Sequence, residues 1–300
     1  MPEISIGTNI VGSTFFEQGN VIADTFKTHG VFEQIHVLNT DVTRQEGAGR
    51  LLTGDIEFGL CASNWVPRLA EGAPPFSRSY DVRMVAPLNV GAPFFVVRED
   101  SEINTFNDIF GKRVAVGPRD GGMTQHMKLI LQALGYSFDD IDPVYVEFDK
   151  GTEGLLTGDV DVMWQVPVPN HIMTGIEKRL SVRVVEYGPG QLSSILQAVP
   201  LYRHAIIEKD LIKGLKSDTE QIGVLNVIIT NADVATETVF QFVSAYIKAA
   251  KELGNKLEVF RKLKSLIEEI EGRGPQVFEP GGVQFHPGAW AAYKQAGLLT

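Results

Sequence analysis

The sequence predicts a doubly wound α/β protein made of two similar lobes and closed by a helical tail. The first observation is a strand, glycine loop and helix at residues 113–131. Val114-Ala115-Val116 is a short apolar run, Gly117-Pro118-Arg119-Asp120-Gly121-Gly122 interrupts it, and Met123 to Leu131 resumes with apolar residues at helical spacing. The second is that this unit occurs twice. Ile4-Ser5-Ile6-Gly7 parallels Val114-Ala115-Val116-Gly117, and Gly12-Ser13-Thr14 parallels Gly122-Met123-Thr124. The third is a further echo: Leu51-Leu52-Thr53-Gly54-Asp55-Ile56-Glu57 returns as Leu155-Leu156-Thr157-Gly158-Asp159-Val160-Asp161, each ending a helix and entering an apolar strand. A spacing of about a hundred residues exceeds the roughly 20–50 residues of a solenoid repeat. Twin lobes, each with a glycine loop facing a common cleft, account for it; Gly-Asp as ordinary helix-to-strand punctuation is the competing explanation.

From the start of the chain, residues 4–7 read as a strand, 8–13 as the first glycine loop and about 14–28 as a helix whose apolar residues include Phe15, Ile22 and Phe26. Residues 35–38 form a second strand, and Asp41 or Thr43 is placed to cap the helix that carries Leu51 and Leu52. A third strand spans 56–62 and ends in Ser63-Asn64-Trp65, after which 71–76 is loop. Residues 82–88 and 94–97 read as strands, the latter a crossover into lobe two, which begins near Asp100. There, 105–112 is a short helix and turn, 143–146 a strand, and a helix ends at Leu156 before a strand over 160–165. Pro167-Val168-Pro169 breaks the chain, Asn170 can cap a helix over 171–178, and 182–185 is a strand. The return to lobe one is expected near 198–200, followed by a strand over 222–229 and helices near 235–253, 255–271 and 288–297. Lobe one would therefore be discontinuous, 1–97 plus 199–300, with 98–198 as lobe two.

Composition narrows the function. A 300-residue chain with 44% hydrophobic and 21% charged residues fits about two globular domains with a sizeable core. A net charge of −10 without a basic stripe argues against nucleic acid and against anionic membrane surfaces. No apolar run approaches the roughly 18 residues of a membrane span, so no direct membrane insertion is expected. Met1-Pro2-Glu3-Ile4 enters a strand almost at once, leaving two locations open: periplasmic with the leader absent from this sequence, or cytoplasmic. The single cysteine, Cys61, lies in an apolar run and reads as buried rather than nucleophilic. Six scattered histidines give no metal-ligand spacing, neither glycine loop continues into Gly-Lys-Ser/Thr, and no Gly-x-Ser-x-Gly elbow is present. No metal and no cofactor are expected.

Several segments resemble one family. Gly12-Ser13-Thr14-Phe15-Phe16 resembles the Gly-Gly-Thr-Tyr-Tyr turn of TAXI-type solute-binding proteins, the extracytoplasmic receptors of one class of TRAP transporters. Gly111-Lys112-Arg113-Val114-Ala115-Val116-Gly117 resembles their Gly-Lys-Arg-Val-x-Val-Gly strand, and Phe285-His286-Pro287-Gly288-Ala289-Trp290 with Tyr293 and Gly297 resembles their terminal motif. The matches keep chain order over nearly the whole length. The resemblance implies a two-lobed, type II periplasmic-binding-protein-like fold that closes on a small organic anion or amino acid and delivers it to membrane permease subunits. Two segments depart from the family. Its Gly-Ser-Gly-Thr at the lobe-two loop reads here Gly121-Gly122-Met123 with Thr124 one step late, and its Gly-Ser-x-x-Asn at the second helix reads Thr43-Arg44-Gln45-Glu46-Gly47. The fold carries over; the family's usual ligands do not follow.

The expected ligand contacts sit where open α/β sheets bind ligands, at the carboxyl ends of strands. Ser13 and Thr14 head the first helix and can offer hydroxyl and backbone N–H groups to a carboxylate, with Asn9, Gly12 and Phe15 in the same turn. Ser63, Asn64 and Trp65 end the third strand, Trp65 as stacking wall or as plain packing. In lobe two, Gly121, Gly122, Met123 and Thr124 open the helix, and Arg119 can clamp a carboxylate or stay solvated. Trp164 and Gln165 mirror Asn64 and Trp65. The leading reading is a receptor that captures a small carboxylate or amino acid by hinge closure. The alternative is a cytoplasmic enzyme on the same fold, with His126 and Asp120 as acid–base groups; a soluble sensor domain is a third.

Overall fold

The computed structural model of the chain describes residues 3–9, 11–119 and 121–299. It has two compact units, residues 1–89 with 225–300, and residues 90–224.

The first unit opens with β1 (Glu3–Gly7), α1 (Thr14–Thr28), β2 (Gln34–Leu38), α2 (Gln45–Thr53), β3 (Phe58–Ala62), α3 (Trp65–Glu71) and β4 (Val82–Gly91), which carries the chain into the second unit. The second holds β5 (Phe94–Arg98), β6 (Arg113–Ala115), α4 (Gly122–Ala133), β7 (Asp142–Val144), α5 (Phe148–Thr157), β8 (Val162–Gln165), α6 (His171–Glu177), β9 (Val182–Val185), α7 (Gln191–Ala198) and β10 (Tyr202–Ile207). The long strand β11 (Thr219–Asn231) returns to the first unit, which finishes with α8 (Thr236–Lys256), α9 (Leu263–Arg273) and α10 (Pro287–Gln295).

The two units repeat one strand plan. In the first, β2, β1 and β3 lie side by side in parallel and β11 joins β3 antiparallel; in the second, β7, β6 and β8 are parallel and β5 joins β8 antiparallel. The echoed segment explains the match at atomic level. Gly54 and Gly158 end α2 and α5 in left-handed conformation, at φ +79° and +84°, which costs glycine little. The Thr53 hydroxyl donates to Asp55 Oδ2 at 2.9 Å and the Thr157 hydroxyl to Asp159 Oδ2 at 2.6 Å. The acidic residue closing each segment then pins the neighbouring parallel strand: Glu57 Oε2 accepts from Ser5 N of β1 at 2.6 Å, and Asp161 Oδ2 from Arg113 N of β6 at 2.9 Å. The Arg113 guanidinium, also bonded to Asp161, holds that carboxyl below its usual range.

The first unit's core is aromatic. Phe58 stacks on Phe242 at 4.1 Å and Phe26 meets Phe242 edge-on at 5.1 Å, joining β3, α1 and α8. The terminal motif docks α10 on this core. The His286 backbone N–H donates to Met84 O at 2.8 Å, and His286 Nδ1 accepts from Gly288 N at 3.1 Å, which caps the helix. A Cβ at Gly288 would lie 2.2 Å from Thr236 O, so only glycine allows α10 to approach α8 this closely. The second unit's core packs Phe94, Val96, Ala115, Leu155, Met163 and Val184 around β5, β6 and β8.

Two local expectations change. The chain passes between units inside β4 and β11, instead of near 97 and 199, because β10 pairs with Thr219–Val224 and stays with the second unit. Asp41 does not cap α2: its Oδ1 accepts from the Thr43 N–H and hydroxyl at 2.8 and 2.6 Å, and Arg44 takes the cap position without a side-chain bond. Asn170 does cap α6, accepting from Met173 N at 2.8 Å. No helix among the described residues is long and apolar enough to cross a membrane.

Candidate functional site

A strand order of 2-1-3 reverses winding between its first and third strands, and ligands bind at the carboxyl ends flanking that point. In the first unit these strands are β1 and β3, in register Ile6 with Phe58 and Gly7 with Gly59. The structure therefore brings Thr8, Asn9, residues 11–13 and Ser63-Asn64-Trp65 to one edge. Ser13 caps α1, its hydroxyl accepting from Phe16 N at 3.3 Å. The helix has no carbonyl for the N–H groups of Thr14 and Phe15, so its positive end lies at this edge. Thr14 and Gly12 are exposed, and Ser13 and Phe15 half-buried. Asn9 Nδ2 donates to Asp41 Oδ2 at 3.4 Å, which ties its amide to the end of β2.

Trp65 is 7% exposed and packs edge-on to Phe76 at 6.2 Å, so its ring belongs to the interior and the packing alternative describes it. Ser63 and Asn64 behave differently. They are 1% and 5% exposed, yet the Ser63 hydroxyl and Asn64 Oδ1 are buried without a hydrogen-bond partner. Close by in the fold is a buried amide network that the sequence reading did not include. Asn89 Oδ1 accepts from Gln18 Nε2 at 3.1 Å and from Asn226 Nδ2 at 3.2 Å, and Gln18 Oε1 is again unpartnered. A signal was present: Gln18 stands four and eight residues before Ile22 and Phe26, on the buried face of α1.

The second unit's equivalent edge lies between β6 and β8, in register Val114 with Val162 and Ala115 with Met163. It unites residues 116–119, the start of α4 and Trp164-Gln165. Gly121 occupies the α4 cap position with no side-chain bond to the helix's first N–H groups. The Thr124 hydroxyl faces Pro118 O at 2.8 Å and Val116 O at 3.0 Å, closing its own loop, so it is not available to a ligand as expected. Trp164 is fully buried, stacked on Phe95 at 4.3 Å, with Nε1 donating to Met123 O at 2.9 Å. It fixes the α4 start from behind and does not form a ligand wall. Gln165 is likewise buried, its Oε1 accepting from Val166 N at 2.7 Å. Arg119 is exposed, its guanidinium carbon 3.9 Å above the Tyr145 ring. That contact holds the cation against the Tyr145 ring.

The enzyme reading names His126 and Asp120 as its acid–base groups. Asp120 lies outside the described residues. His126 is 3% exposed with Nδ1 2.9 Å from the Tyr202 hydroxyl, and burial pushes its pKa down to about 4. It is a neutral packing residue of α4. Because the folded pKa is below the unfolded value near 6.5, the unfolded chain binds the extra proton first. The stabilisation from neutral His126 is thus fully present above pH 6.5 and is lost as pH falls towards 4, about 3 kcal/mol in all. Urea midpoints measured between pH 4 and 7 should fall on acidification, and His126→Gln should flatten that slope. Burial also raises the Cys61 thiol far above its ordinary value, in keeping with an inert core position.

Comparison with known proteins follows the same outline. A model of the NMT1-like family matches residues 6–297. Among solved structures, the periplasmic sulfonate-binding protein SsuA of a sulfonate ABC transporter from Methylobacillus flagellatus KT is similar at 15% identity, covering 99% of this chain and 96% of its own, with a TM-score of 0.63. MatC from Rhodopseudomonas palustris with bound malate is similar at 16% identity, covering 93% and 99%, with a TM-score of 0.55. A TctC solute-binding protein from Polaromonas is similar at 13% identity, covering 99% and 96%, with a TM-score of 0.53. At such identities the likeness shows the fold, an α/β periplasmic-binding-protein-like fold with two sheets flanked by helices.

Proposed function

The chain belongs to the NMT1-like family, and from that premise we propose that it is a solute-binding receptor which captures a small organic anion for a membrane permease. The observation that carries this reading is the repeated placement of a helix start, with its unpaired N–H groups, at the switch point of each unit. Such a terminus favours negative charge through its dipole and its amide donors together. In the first unit the contacts would come from Ser13, Thr14 and Phe15, with Asn9 and Gly12 shaping the turn. In the second they would come from the backbone of Gly121 to Thr124 and from Arg119. Binding would shift the receptor's conformation only as far as the anion's affinity differs between its states.

The finer assignment is a TAXI-type receptor of a TRAP transporter, working in the periplasm. Its support is the ordered set of motifs at 12–16, 111–117 and 285–297. The ligands named for the structural relatives, sulfonate and malate, are likewise small oxyanions. A thermal-shift screen of the full chain against carboxylates, sulfonates and amino acids tests the proposal. Stabilisation by a small anion is expected, since a ligand at a hundred times its Kd adds about 2.7 kcal/mol. Flat melts throughout would contradict it.

A further inference from the structure

The first unit gathers three buried polar atoms without partners at one sheet edge: Gln18 Oε1, the Ser63 hydroxyl and Asn64 Oδ1. Their placement is common. Asn226 pairs across the sheet with Ala62, Ser63 N donates to Leu225 O at 2.8 Å, and the Asn89 side chain links Asn226 to Gln18. Gln18 follows Thr14 by four residues and so lies on the Thr14 side of α1, one turn inside the helix start. Each orphaned atom costs the free protein its desolvation, and three together are hard to retain without a group that satisfies them.

Their chemistry says what that group must be. Two of the three are amide carbonyl oxygens, which only accept, and the hydroxyl can accept as well. The Gln18 orientation is fixed by its neighbours: Asn89 Oδ1 already takes the Gln18 and Asn226 NH2 groups, so turning Gln18 alone would oppose two oxygens. A carboxylate cannot satisfy acceptors. A hydroxyl or amino group can.

Building on the anion reading, we infer that the ligand is a carboxylate that also carries a hydroxyl or amino donor, and that Gln18, Ser63 and Asn64 read this donor while the α1 start holds the acid. The class is that of 2-hydroxy and 2-amino acids, with plain carboxylates discriminated against. Discrimination of this kind is steep, because an analogue lacking the donor leaves the acceptors unpaired.

The test is calorimetric titration of wild type and Ser63→Ala with matched pairs: L-malate and succinate, L-glutamate and glutarate, L-lactate and propionate. The donor-bearing member of at least one pair should bind tenfold or more tighter than its partner. Ser63→Ala should weaken that binding at least fivefold and, by removing an unsatisfied buried hydroxyl, raise the melting temperature of the free protein by about 1–3 °C. Equal affinities within every pair would overturn the inference and leave the anion reading standing, as would ordered water alone serving these atoms. A lower melting temperature in Ser63→Ala would overturn it by showing a structural partner. Silence from all six acids would overturn the anion reading, and this inference with it.

Discussion

Ser13→Asp should abolish anion binding while leaving the protein as stable as before. Aspartate caps helices as well as serine does, and its charge favours a helix N-terminus by about 0.3–1 kcal/mol. The bond from Phe16 N to the Ser13 hydroxyl therefore survives in substance. The same carboxylate, however, occupies the positive end that a ligand anion would need. Repulsion between two charges about 4 Å apart at a partly exposed site is on the order of 2–4 kcal/mol, a loss of roughly 30-fold to 1,000-fold in affinity. Thermal melts of the free protein separate the two effects: an unchanged or higher midpoint with lost binding is the expected pair of results. Binding that survives would move the anion away from the α1 start.

Trp164→Ala should destabilise the second unit more than any single change at its sheet edge. The ring is fully buried against Phe95, and its N–H holds the Met123 carbonyl in the first turn of α4. Truncating a buried aromatic to alanine costs about 3–5 kcal/mol. Trp164→Phe keeps most of the packing and removes the hydrogen bond, an expected loss of about 1 kcal/mol. Urea unfolding followed by circular dichroism measures both. Hydrogen exchange at the start of α4 should quicken in Trp164→Phe, since that turn loses its anchor while the core stays packed. Equal stability of Trp164→Ala and wild type would contradict the assignment of this residue as the support of the α4 start.

Much of the architecture was legible because it is written twice. The Leu-Leu-Thr-Gly-Asp echo encodes a left-handed glycine cap, a threonine–aspartate bond and an acidic residue that pins the neighbouring strand, all within seven residues. Short-range chemistry of that kind survives in sequence. The crossings between units were not legible, because β10 alternates apolar and polar residues weakly, as Tyr202-Arg203-His204-Ala205, and its allegiance is set by pairing with β11. The two tryptophans illustrate a different loss. Both sit near a strand's carboxyl end, where a ligand wall and a core ring look alike until neighbours are known; Phe76 and Phe95 decide the matter. The amide network escaped for the same reason. Asn89 and Asn226 interrupt otherwise apolar strands, and only the tertiary fold sets them beside Gln18.

Isothermal titration of the full chain with the carboxylate that gives the largest thermal shift tests the account most directly, run side by side on wild type and Ser13→Asp. Saturable binding of one anion per chain, lost in the variant, is the predicted result. An absence of binding heat for every acid tried, or equal affinity in the two proteins, would contradict it.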